Sequence, residues 1–323
     1  IASAAGLKPV MTPHRKTRPP TKSRAPRAAV RLRPRKTPFV SILRTTPPTT
    51  VCPNFYVLGH ANGCAFAPLC SYCYLKSSLW HLDGPHVFTN TDSMLDEVRA
   101  WIAKDGLESY VLNAGNLSDS LVFEDSRPIV PLLVELFREH AEKPGRPHTL
   151  LLVTKGGARE AGTLLDAPPC ANVIVSFSVN HPEAAERYEK GAASTRDRLE
   201  TAGRLKRAGW RIRLRIDPMI RGYDYTGLAR EVAALKPERV TLGSLRAEAN
   251  LFRHAPHPVF EELSKPDDPR QYARYPWAER VAMYNSVLDI LRGVCPLALC
   301  EETPQMWDET GLDKVGARCN CNV

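Results

Sequence analysis

From Thr50 onward, short apolar runs alternate with stretches whose apolar residues recur at helical spacing, the pattern of successive βα units. The runs predict strands at 55–59, 109–113, 149–154, 173–179, 211–216 and 239–243. Between the first two, Met94, Leu95, Val98, Trp101 and Ile102 put one apolar stripe on a helix over 92–104. Further helices are expected near 128–141, 195–208, 226–235 and 278–292. No G-x-G-x-x-G follows the first strand, so six such repeats favour an open or partial parallel barrel over a dinucleotide-binding fold. In such a barrel the chemistry sits at the C-terminal ends of the strands.

Composition narrows the class. With 43% hydrophobic and 24% charged residues, the 323-residue chain is not expected to be disordered throughout. No apolar run approaches the roughly 18 residues of a membrane span. Ile1 to Val10 lack the charged start and apolar core of a secretory signal, and a native start near Met11 is expected.

Charge is unevenly spread. Twelve Lys and Arg residues occur within the first 44 positions, and the first acid is Asp83, so the net charge of +9 belongs to the leader. Residues 1–50 read as a disordered, basic, Pro/Arg-rich extension able to neutralise phosphates without reading bases. The body is expected to divide into a partial barrel over 51–255 and a cysteine-containing helical segment over 256–323.

Nine cysteines in clusters point to metal or redox chemistry in a cytoplasmic protein. Cys64, Cys70 and Cys73 form C-x5-C-x2-C in the loop after the first strand. Three thiolates suit a [4Fe–4S] cluster with one open iron. Zinc is the alternative and would need a fourth ligand such as His60 or Cys52. Cys295, Cys300, Cys319 and Cys321 lie near the C-terminus, where a second metal or cluster, a redox pair or a disulfide are the readings.

The segment from Gly63 to Leu75, ending Cys70-Ser71-Tyr72-Cys73-Tyr74-Leu75, resembles the cluster loop of radical S-adenosylmethionine enzymes, and specifically of the spore photoproduct lyase family. The family's first cysteine interval is three residues where this chain has five. The resemblance continues through Asn113-Ala114-Gly115-Asn116-Leu117-Ser118-Asp119, Val153-Thr154-Lys155, Val175-Ser176-Phe177-Ser178-Val179, Arg215-Ile216-Asp217-Pro218-Met219-Ile220 and Gly243-Ser244-Leu245-Arg246, each at a predicted strand end.

It implies a partial (β/α)6 barrel of the radical S-adenosylmethionine type, with Cys64, Cys70 and Cys73 as cluster ligands. Tyr72, Ala114, Gly115, Ser118, Asp119, Lys155, Ser176, Ser178 and Arg215 are the implied cofactor-binding positions. The implied activity is formation of a 5′-deoxyadenosyl radical that repairs or modifies a thymine-derived pyrimidine in DNA, with a reducing electron donor as partner. Tyr72 and Tyr74 resemble tyrosines implicated in hydrogen-atom relay, although shielding the cluster explains them equally. Asp217 is either a salt-bridged strand-end residue, paired with Arg215 or Arg246, or a substrate contact.

The resemblance also implies a hydrogen-donating cysteine in the second-strand loop, where this chain has Asn116. An amide cannot donate a hydrogen atom to a carbon radical, so either Cys170 or inward-folded C-terminal cysteines quench the radical, or the reaction differs from thymine-dimer reversal. Cys300, Cys319 and Cys321 are accordingly candidates for the catalytic set. Competing classes are a radical peptide-modifying enzyme, which leaves the basic leader unexplained, and a zinc-stabilised DNA-binding protein, which would be colourless.

Overall fold

The computed structural model describes residues 29–44, 47, 49–143, 145–316 and 318–322. Eight strands form the main sheet: β1 (Val40–Leu43), β2 (Phe55–Leu58), β3 (Val111–Asn113), β4 (Thr149–Thr154), β5 (Val173–Val179), β6 (Arg211–Met219), β7 (Arg239–Ser244) and β8 (Leu297–Leu299). They lie in chain order across the sheet, β1 antiparallel to β2 and every later pair parallel. The strands do not close into a ring. A single bridge between Val51 and Glu302 ties the chain entering β2 to the chain leaving β8. This is the partial α/β barrel that the strand pattern predicts.

Five longer helices cover the outside: α1 (Thr91–Ile102), α2 (Val130–His140), α3 (Thr195–Arg207), α4 (Thr226–Leu235) and α5 (Trp277–Leu291). Period-two alternation sorts the strand residues. Leu150, Leu152, Val175, Phe177, Ile212, Leu214, Val240 and Leu242 face the helices and join Val98, Leu133, Phe137, Leu205, Val232 and Leu288 in one core. The residues between them face inward: Ile174, Leu151 and Val111 make a small apolar cluster, and Ser176, Arg213, Arg215 and Arg239 make the rest of the interior polar. At α3 the Ser194 hydroxyl accepts the Asp197 amide at 3.1 Å, an N-cap worth about 1 kcal/mol.

Two expectations change. The expected disordered 1–50 extension is disordered in neither Arg31–Arg33 nor Val40–Leu43; the former pairs with His86–Phe88 and the latter is edge strand β1. Residues 1–28 of the leader lie outside the described residues. The 256–323 segment is not separate from the barrel, because β8 extends the sheet beside β7. Both β1 and β8 lie outside the strand–helix repeats, the first within the Pro/Arg-rich leader and the second in the cysteine-containing segment after α5.

The carboxylate of Glu97 on α1 accepts the amides of Phe39 at 2.7 Å and Val40 at 3.1 Å, pinning the start of β1 to the helix layer. Replacing Glu97 with Ala is expected to lower the unfolding free energy by about 1.5–3 kcal/mol, the range for hydrogen bonds to a charged group. An unchanged urea midpoint would mean that pairing with β2 holds β1 alone.

Candidate functional site

The loop after β2 carries Cys64, Cys70 and Cys73 and is seated on the segment after β5. The Ser71 amide donates to the Tyr188 carbonyl at 2.8 Å. Gly191 is glycine for a steric reason, since a Cβ there would lie 2.5 Å from the Pro68 carbonyl oxygen. Burial pushes all three thiols above the ordinary value, and for Cys64 and Cys70 the neighbouring loop thiolates add to the rise. Three thiols in one loop, with Cys64 feeling the charge of the other two, fit a polycationic cluster that would neutralise them.

No three Cys, His, Asp or Glu side chains converge on a single-ion site among the described residues. The fourth ligands considered for zinc are otherwise placed. His60 Nε2 lies 3.1 Å from the Ala114 carbonyl, and burial lowers its pKa to about 4. Cys52 sits among Glu301, Cys319, Arg246 and Arg215. The donor set of the loop is therefore three thiols, which fits an iron–sulfur cube with an open iron better than a closed zinc site.

Beneath the loop lies a buried charge network that the sequence did not single out. Glu189 accepts from the Tyr72 hydroxyl, pairs with Lys155 Nζ at 2.9 Å, and meets the buried Arg198 guanidinium at 2.6 Å. Asn180 Nδ2 reaches the same carboxylate at 3.3 Å, and Asn180 Oδ1 accepts from the Tyr225 hydroxyl at 2.7 Å. Although burial opposes its charge, the Arg198 and Lys155 cations hold Glu189 well below the usual carboxylate range. Lys155 and Tyr72, both expected to serve the cofactor, thus share one acid.

Elsewhere the expected residues divide. Gly115 allows the loop after β3 to touch β4, because a Cβ there would lie 2.5 Å from that of Val153. Asp119 joins the two strand ends, accepting from the amides of Leu121 (2.9 Å) and Lys155 (2.7 Å) and from Thr154 Oγ1 (2.8 Å). Burial raises its pKa to about 6. Ala114 is buried, and the buried Ser118 hydroxyl has no partner among the described residues. Asn116 gives its carbonyl to the Tyr74 hydroxyl. Asp217 resolves as a strand-end ion pair with both Arg215 and Arg246. Each of those arginines also donates to Cys300 Sγ at 3.2 Å.

The C-terminal residues enter the barrel. Arg213 donates to the carbonyls of Asn320 (2.7 Å) and Asn322 (2.6 Å), and Arg239 to that of Cys319 (2.6 Å). Ser176 donates to Asn320 Oδ1 at 2.8 Å, while Ser178 lies buried further along the same face. Asn113 Nδ2 lies 3.8 Å from Cys321 Sγ. Cys321 donates a hydrogen bond to Cys319, which lowers the Cys319 pKa, as Arg215 and Arg239 also do, and raises that of Cys321. Tyr74 senses the charges of Cys321 and Arg215.

The expectation of a second metal or cluster at the C-terminal cysteines is not supported. Cys295 and Cys300 lie at opposite ends of β8, about 16 Å apart along an extended chain, and no metal-holding group is found among the described residues. Cys170 precedes β5, at the end of the barrel away from the cysteine loop.

A family model described as spore photoproduct lyase matches residues 32–240. The chain is 24% identical over 200 residues to the spore photoproduct lyase of Clostridium acetobutylicum and 28% identical over 203 residues to that of Geobacillus sp.. Each alignment covers 62% of this chain and 56% of the relative, so the chain matches little more than half the length of these curated proteins. A solved spore photoproduct lyase complexed with dinucleoside spore photoproduct superposes with TM-score 0.66 at 17% identity, covering 84% of this chain and 82% of that one. A variant with bound AdoMet and the same dinucleoside gives 0.65 at 18%, covering 83% and 81%.

Replacing Glu189 with Ala strands two cations and is expected to cost about 3–5 kcal/mol at neutral pH, as for a buried pair broken on one side. Because its folded pKa is depressed, the Glu189 contribution is complete above the unfolded value of about 4.3 and fades as pH falls through the lower folded value. Urea unfolding across that range should show a flatter acid limb in the variant; an unaltered acid limb would assign the network no such role.

Proposed function

The chain belongs to the spore photoproduct lyase family, and on that premise we propose that it is a radical S-adenosylmethionine enzyme acting on a thymine-derived pyrimidine in DNA. The observation that carries the reading is the trio Cys64, Cys70 and Cys73 in one loop, Cys70 buried and the other two half-buried, with Cys64 close enough to both of the others to feel their charge. These residues would hold a [4Fe–4S] cluster whose open iron takes S-adenosylmethionine. When bound and reduced, the pair supplies a hydrogen-abstracting carbon radical. Ala114, Gly115, Ser118, Ser178 and Arg215 lie on the strand ends and loops that would receive the cofactor. Glu189 orients Lys155 and Tyr72 under the loop, and Asp119 fixes the loop after β3 to β4.

The protein's task is to hold a base beside that radical and keep water away. The base must leave the stack, at a cost of a few kcal/mol, and the basic leader would supply phosphate neutralisation. A reducing electron donor completes the partner set.

The hydrogen source differs from the resembled lyases, because Asn116 carries no thiol. Cys321 supports a substitute role: it contacts Asn113 in the strand that leads into the Asn116 loop, and burial and the hydrogen bond to Cys319 push its thiol up, which favours the S–H form. Donation breaks the Cys321 S–H bond, forms a C–H bond on the substrate radical and leaves a sulfur radical. That radical then takes one electron from the reductant and one proton from solvent. Cys300, pinned between two arginines, is better suited to holding Arg215 and Arg246 in place. The reaction we favour acts on a thymine derivative other than spore photoproduct, a hypermodified base included.

Two outcomes check this reading. Anaerobically reconstituted protein should show iron–sulfur absorption and cleave S-adenosylmethionine on reduction, and the combined variant Cys64→Ala, Cys70→Ala, Cys73→Ala should do neither. 5′-Deoxyadenosine formation by that variant would refute the cluster assignment.

Dinucleoside spore photoproduct should be converted poorly by the unmutated protein, and any conversion should fall in Cys321→Ala, with less solvent deuterium carried into product. Efficient release of two thymines independent of Cys321 would overturn the substitution of donors.

A further inference from the structure

Beside the cysteine loop a cavity of about 520 Å³ opens, its walls including Cys64, Leu75, Leu79 and Leu82, with Trp80 and His254 also lining it. The volume falls within the about 300–1,000 Å³ of small-molecule pockets. Trp80 follows the short helix Leu75–Ser78, and His254 ends the helix Ala249–His254. Their rings stack with centroids 4.5 Å apart and planes 6° from parallel. One face of the indole is therefore covered, while 60% of Trp80 remains exposed. A single exposed aromatic residue needs no explanation. A pre-stacked pair on a cavity presents an oriented flat face at little further ordering cost.

The surrounding charge selects the partner. Lys76 and Asp83 line the cavity, and Arg253, next to His254 in sequence, is exposed. The nearby acids are engaged, Asp83 with Arg31 and Glu248 with the Ser77 hydroxyl. The Arg31 amide donates to the Pro85 carbonyl at 2.9 Å, and Gly84 and Pro85 line the cavity. Arg31 thus lies at the cavity's edge.

We propose that Trp80 and His254 form a stacking platform for an unpaired base of single-stranded or locally opened DNA, whose phosphates meet Lys76 and Arg253 beside it. This rests on the reading that the substrate lies in DNA, and it adds where an unpaired base is held. The bases of a closed duplex hide their faces, whereas an unpaired base of any kind offers a π surface. An acidic peptide would match the charge but bring no planar ring to the indole.

The test measures binding of the full chain to a thymidine decamer and to an abasic decamer with the same phosphates. Trp80→Ala should weaken thymidine binding by roughly 5- to 150-fold, the range for one base–aromatic stack, and Trp80→Phe should restore part of it. Neither variant should change the salt slope, since no cation is lost, nor the weaker binding of the abasic strand. Equal thymidine affinity in Trp80→Ala, with the unmutated protein still binding, would overturn the platform alone. No binding of either strand by the unmutated protein would overturn the platform and the DNA reading together. Equal dependence of polyglutamate binding on Trp80 would make the surface a peptide site and overturn the proposal.

Discussion

The interior of this open barrel is governed by two arginines that cannot shed their charge. Arg213 and Arg239 point inward from β6 and β7 and are almost wholly buried. A guanidinium keeps its proton and offers five donors, so each buried copy must find acceptors or impose a large desolvation cost. Glu238 satisfies Arg213 in part, at 2.8 Å. The remaining acceptors for both are backbone carbonyls of Cys319, Asn320 and Asn322. The C-terminal segment lies inside the barrel because those arginines require it there. Cys319 and Cys321 arrive under β3 as a consequence.

A second set of charges organises the barrel's rim. On one side Glu189 holds Lys155, Arg198 and Tyr72 under the cysteine loop. On the other, Asp217 bridges Arg215 and Arg246, which also reaches Glu301 at 2.8 Å. Each anion meets at least two cations, so neither centre is a lone buried charge. The arrangement fixes the long side chains of Lys155 and Arg215, which would otherwise lose substantial rotamer freedom on meeting a ligand.

These two charge systems also explain why individual residues divide as they do. Asp119 and Asp217, both candidates for ligand contacts, have their oxygens engaged by neighbouring strands and serve to join them. Ser176, on the inner face as its two-residue spacing from Ser178 requires, meets the C-terminal Asn320 rather than facing an open chamber. Ser178, one repeat nearer the strand's C-terminal end, stays on the same face without that partner.

The sequence by itself determined the six central strands, the five long helices and the loops that carry the cysteines, because each is written in a local period: two for a strand, 3.6 for a helix, or a short motif at a strand end. The observed bounds of β4 and β5 equal the predicted ones. It left undecided what depends on contacts between distant positions. Edge strands β1 and β8 sit outside the strand–helix repeats, in the Pro/Arg-rich leader and the cysteine-containing segment, and exist because a neighbouring strand offers unpaired backbone groups. Glu189 lies 117 positions from Tyr72, and nothing local marks an acid that will be buried between two cations. Asn320 lies 144 positions from Ser176. That Cys321 rather than Cys170 comes beside Asn113, at the start of the Asn116 loop, likewise depends on the curved sheet, whose buried inner arginines bind the carbonyls of Cys319, Asn320 and Asn322.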